Sequence, residues 1–101
     1  MKLGRVVGTA VSTVKAEGLH SYKLLLVRDF REDASDIPDE QADYYVAIDT
    51  VGAGIGEVVM VAEGSAARLF NSSPFNAPVD AAIVAIMDTV RIGSTAIFER
   101  K

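Results

Sequence analysis

Apolar residues recur at period two from the start of the chain. Val7, Thr9, Val11 and Thr13 fall on one side, and Val6, Gly8, Ala10 and Ser12 on the other. This predicts a long strand over 1–15 whose second face is made of small residues. Gly4 and Gly8 within it suggest bending or close backbone approach, as where a sheet curls into a barrel. A second strand is expected over 22–30, with Leu24 to Val27 apolar on both faces. Residues 31–43 crowd six carboxylates around Ile37-Pro38 and read as a solvated loop. A third strand is expected over 44–51 and a fourth over 57–63, separated by Gly52-Ala53-Gly54-Ile55-Gly56. Residues 64–70 suit a short helix with Ser65 as cap, 71–78 are turn-rich, and 79–83 add a helical turn after Pro78. The last strand is placed at 84–92, and 94–101 form a short tail. The expected fold is mainly β: a small five-stranded OB-like barrel with a short helix, one domain over 1–101.

Three of these strands are apolar almost without interruption: Leu24 to Val27, Val58 to Ala62 and Ile83 to Met87. A barrel buries one face of each strand, so the outer apolar face needs cover. Leaving several Val and Leu side chains wet would forfeit several kcal/mol at about 25 cal/mol per Å². Self-association is the expected cover. The alternative is that the short helix and the tail fold back over one face.

Composition narrows the function classes. The chain has 101 residues, half of them hydrophobic, with a net charge of −4 and no Cys or Trp. Without Cys there is no disulfide framework and no thiolate-bound zinc. The first residues are too polar for a signal-peptide core, and no run of about 18 apolar residues suits a membrane span. A soluble, cytoplasmic domain is expected, with no membrane partner. The acidic balance also argues against nucleic acid as a partner, since phosphate binding needs clustered Lys and Arg.

Candidate chemistry adds little. The stretch from Val46 to Gly56 runs like a strand into G-x-G, but Glu57 stands where a dinucleotide site needs Gly, and a β-type run follows. No P-loop sequence occurs. Ser65 lacks the second Gly of a nucleophile elbow. The one histidine, His20, cannot build a His-based metal cluster, and the acidic loop lacks an ordered calcium-binding pattern. Asp49, Asp80 and Asp88 are possible acid–base carboxylates, although Asp80 reads more simply as a helix-start residue. No enzyme activity, cofactor or metal is expected. An OB-like module for single-stranded nucleic acid or a small metabolite stands as the alternative function.

The runs Leu19 to Val27, Ala47 to Val59, Gly64 to Arg68 and Pro78 to Asp88 occur in the order of a known pattern. With D-T-V-G-A-G-I-G-E at 49–57 and V-D-A-A-I-V at 79–84, the chain resembles the EutN/CcmL family of bacterial microcompartment shell proteins. Ser21 stands where the family usually has Gly. The resemblance implies a five-stranded barrel that assembles as a ring, a homopentamer capping the vertices of a polyhedral shell in the bacterial cytoplasm. The implied partners are hexameric and trimeric shell proteins. It also carries subunit-interface or central-axis roles onto Gly52, Ala53, Gly54, Ile55, Gly56, Glu57, Gly64, Ser65, Ala66, Ala67 and Arg68. Glu57 and Arg68 would then either pair between subunits or each face solvent. Gly54→Val is expected to impair assembly, on the premise that Gly54 needs a positive φ.

Overall fold

In a computed structural model of the chain, the described residues are 1–12, 22–31, 38–41, 43–64, 67 and 80–100. Among these residues seven strands are formed: β1 (Lys2–Ala10), β2 (Lys23–Asp29), β3 (Tyr45–Asp49), β4 (Val58–Glu63), β5 (Ala81–Ile86), β6 (Thr89–Ile92) and β7 (Thr95–Glu99). The first five close into a barrel in the order β1-β2-β3-β5-β4, with β4 returning to β1. All pairs are antiparallel except β3 with β5, which run parallel. Inserting β5 between β3 and β4 is what lets so short a chain close, and closure leaves no free edge in the barrel.

Alternation sorts the side chains. Val6, Leu25, Val27, Ala47, Val59, Val61, Ala81 and Ile83 point inward and form the core, joined by Ala53 from the loop after β3. Gly4 is packed against neighbouring strands: a Cβ there would collide with Val27 Cγ1 and meet the Arg28 carbonyl oxygen at 3.0 Å. The register slips by one residue at Val7, between Val6 and Gly8, and again at Val84 opposite Met60 and Val61. Such bulges bend strands, and here they sit in a barrel of only five.

The C-terminal third departs from the expectation. Residues 81–83 are strand, not helical turn, because they fill the slot between β3 and β4. There Ala81 and Ile83 enter the core, and Ala82 faces out. The single strand expected over 84–92 is broken at Met87-Asp88, and the expected tail pairs with its second half. Ile92 faces Thr95 across the two-residue turn Gly93-Ser94, where Gly93 takes φ +61° as the first position of a II′-type turn does. The result is a separate hairpin, β6–β7. At the other end, β1 stops at Ala10, and residues 13–15 of the expected first strand lie outside the described residues. Of the expected helix at 64–70, only Gly64 and Ala67 are described, both in 3-10 geometry.

One outer face is covered from within the chain. Leu24, Ile48 and Ala82 align across β2, β3 and β5, and pack with Val84 under Tyr22 and Ala67. Folding back therefore supplies part of the cover that self-association alone was expected to provide. The next outer row, Leu26 opposite Val46, has no such lid among the described residues: Leu26 is half-buried and Val46 exposed. Tyr44, Val51, Ile55 and Ile92 are exposed as well.

Candidate functional site

The segment from Asp49 to Glu57 is the best-organised loop among the described residues, and its own side chains organise it. Asp49 ends β3 with its carboxylate buried. Oδ1 accepts hydrogen bonds from the backbone N–H groups of Val51 (3.1 Å) and Gly52 (3.0 Å), an Asx turn that fixes the exit from the strand. Lys23, opposite Asp49 in β2, lies 3.9 Å from Oδ2 and donates to the Ala53 carbonyl at 3.3 Å. The Thr50 hydroxyl donates to the Ile83 carbonyl at 2.6 Å, tying the loop to β5. Ala53 then drops its methyl into the core.

The second half turns back into β4. The Glu57 N–H donates to the Gly54 carbonyl at 3.2 Å, while Glu57 Oε1 accepts from the Gly54 N–H at 2.8 Å. Gly56 N–H donates to Val6 O at 2.8 Å, and Val6 N–H to Glu57 O at 3.0 Å, which docks the turn on β1. Arg5 Nη1 donates to the Gly56 carbonyl at 2.7 Å. The loop thus holds its backbone by inward bonds and leaves Val51, Gly52, Ile55 and Gly56 facing solvent.

Gly52 and Gly56 take φ +80° and +92°, but Gly54 does not have a positive φ. A Cβ on Gly54 would meet only Glu57 Oε1, at an ordinary 3.5 Å. The conformational premise for Gly54→Val is therefore incorrect: within one subunit the demand for glycine falls on Gly52 and Gly56. Glu57 Oε2 lies 2.7 Å from an Arg100 guanidinium nitrogen, an ion pair within the subunit whose alignment falls short of a hydrogen bond. Arg68 lies outside the described residues, as do Ser65 and Ala66. Gly64 is exposed and donates its N–H to the Asp80 carbonyl at 2.8 Å, and Ala67 is buried against the outer face of the barrel. In sequence the two expected site segments flank β4.

The holders Arg5, Lys23, Asp49, Thr50 and Arg100 were not among the expected site residues. Asp49 three positions before Gly52 carried a readable Asx-turn signal. The rest act across the fold and leave no local mark. The three possible acid–base carboxylates do not converge: Asp49 serves the loop, Asp88 is exposed 3.5 Å from Arg100, and Asp80 is exposed before β5. Among the described residues no three His, Asp or Glu gather as a metal site. His20 and most of the acidic loop, residues 32–37 and 42, lie outside the described residues.

A second charged cluster braces the barrel. Lys2 Nζ bridges Asp29 of β2 (3.2 Å) and Glu63 of β4 (3.5 Å), and stands 4.2 Å over the Tyr45 ring of β3. Burial works against the Lys2 charge, but hydrogen bonds and attraction from Asp29 and Glu63 outweigh it and hold its pKa above the ordinary lysine value. Burial, and then the charges of the same two carboxylates, push the Tyr45 phenol well above its ordinary value. The Tyr45 hydroxyl is buried and has no hydrogen-bond partner among the described residues.

This barrel and loop have known counterparts. A family model described as "Ethanolamine utilisation protein EutN/carboxysome" matches residues 1–88. The carboxysome shell vertex protein CcmL of Thermosynechococcus vestitus is 43% identical over 102 residues, covering 100% of this chain and 97% of that protein. A solved ethanolamine utilization protein EutN superposes with a TM-score of 0.83 at 40% identity, covering 100% of both chains. The GrpN pentameric microcompartment shell protein from Rhodospirillum rubrum gives 0.74 at 47% identity, covering 91% of this chain and 99% of that one. These relatives are structural shell components, which agrees with the non-enzymatic reading. With the family model spanning the whole barrel, this chain belongs to the EutN/CcmL family of microcompartment shell vertex proteins.

Proposed function

We propose that five copies of this chain close into a homopentameric ring that caps the vertices of a polyhedral microcompartment shell, beside hexameric and trimeric facet proteins, in the bacterial cytoplasm. The observation that carries this reading is similarity, over 91% of this chain, to a chain solved as a pentameric shell protein. The physics is consistent with it. A ring joins two different patches of each subunit, so the wet outer row at Leu26 and Val46 and the exposed Val51 and Ile55 offer apolar area to neighbours. A flat sheet of hexagonal tiles cannot close, and fivefold units at its corners supply the curvature. Relatives named for carboxysomes and for ethanolamine utilisation share this barrel, as expected of a geometric role separate from cargo chemistry. Native mass spectrometry of the purified chain is expected to show particles of five subunits. A persistent monomer at micromolar concentration would remove the ring.

A further inference from the structure

The hairpin β6–β7 lies beyond the residues matched by the family model, yet its far strand returns to the glycine loop by two routes. In the first, Arg100 follows β7, donates its backbone N–H to the Asp88 carbonyl at 2.7 Å, and places its guanidinium 2.7 Å from Glu57 Oε2. The other oxygen of that carboxylate holds the Gly54 N–H. In the second, Phe98 meets Phe30 edge to face at 6.1 Å and lies under Arg5, whose guanidinium carbon is 5.6 Å from the Phe98 ring. Arg5 in turn holds the Gly56 carbonyl. The Gly54 and Gly56 peptide groups are thus each reached from the hairpin through one intermediate side chain.

We propose that Arg100 is a positioning residue for the glycine loop: through Glu57 it latches the loop in the conformation that the ring interface uses. The inference rests on the ring reading above. Its physical basis is entropy. A loop with three glycines in five residues is costly to order, and a binding surface that is ordered beforehand avoids that cost on association. Glu57 is only one-fifth exposed, so its charge needs a partner, and Arg100 is the cation placed on it. The Arg100–Asp88 side-chain contact, at 3.5 Å and largely solvated, is a weak surface pair by comparison.

The test compares the full chain with Arg100→Ala, Arg100→Lys, Glu57→Gln and Asp88→Ala. Two readouts are taken: the ring dissociation constant by analytical ultracentrifugation, and hydrogen exchange at the Gly54 amide by NMR. Arg100→Ala is expected to raise both by about tenfold. Arg100→Lys, which keeps the charge, should stay within about threefold of wild type, and Asp88→Ala should change neither readout. The double variant of Arg100→Ala with Glu57→Gln should lose little more than Arg100→Ala alone, because the two residues act as one unit. If the wild type forms rings and Arg100→Ala leaves both readouts unchanged, the latch is wrong. If the wild type forms no ring, the ring reading falls, and Gly54 exchange alone then decides whether the latch exists.

Discussion

Gly52 and Gly56 hold φ values of +80° and +92° with open space where a side chain would stand, so any penalty for substitution there comes from the backbone alone. Gly56→Ala is expected to cost about 1–2 kcal/mol in urea unfolding of the subunit, the usual penalty for an L-residue in the left-handed region. Gly54→Ala should fall within about 0.5 kcal/mol of wild type in the same measurement, since neither its φ nor its surroundings exclude a methyl. The string D-T-V-G-A-G-I-G-E announced a glycine loop and its strand neighbours. It did not reveal which glycines were conformationally required. That depends on how the loop crosses from the end of β3 to the start of β4 while its Ala53 fills the core, a constraint set by distant strands.

At the level of elements, β2, β3 and β4 were legible because each carries a run of β-branched or aliphatic residues between turn signals. β5 was not. Ala81-Ala82 after Pro78 and Asp80 has the local character of a helix start, and only the slot between β3 and β4 makes it a strand. The loop joining β3 to β4 depends most on Asp49. Asp49→Ala leaves the Val51 and Gly52 N–H groups without their acceptor and is expected to destabilise the subunit by about 1.5–3 kcal/mol, read by thermal or urea unfolding. Strand pairing around Lys2 and Tyr45 yields a pH dependence. The unfolded chain gives up the Tyr45 proton near its ordinary pKa of 10.0, whereas the folded chain keeps it to higher pH. The folded state therefore binds more protons above that point, and stability falls as pH rises beyond it. Lys2, also raised, adds to the same loss. Tyr45→Phe removes a buried hydroxyl that has no partner among the described residues. It should be no less stable than wild type at neutral pH and should lose stability less steeply above pH 10.0, as followed by urea unfolding across the alkaline range.

For the whole molecule, the question is how the apolar excess is hidden. Part of it is hidden intramolecularly, where Tyr22 and Ala67 cover Leu24, Ile48 and Ala82. What stays wet includes Ile55, 66% exposed at the tip of the glycine loop. Ile55→Asp should leave the melting of the isolated subunit nearly unchanged, because the side chain is mostly exposed and belongs to no core cluster among the described residues. It should weaken the proposed ring at least about tenfold by sedimentation, and an unaltered ring would place this loop outside the subunit contacts. The sequence by itself determined the class of fold, the family, the existence of a glycine loop and the surplus of apolar surface, because period-two patterning and turn residues act over a few neighbouring positions. Only the tertiary structure decided that residues 81–86 close the barrel, that the tail is half of a hairpin, and that Glu57 meets Arg100. Those outcomes depend on pairings between segments far apart in the chain, and no local pattern encodes which distant strand a short apolar segment will find.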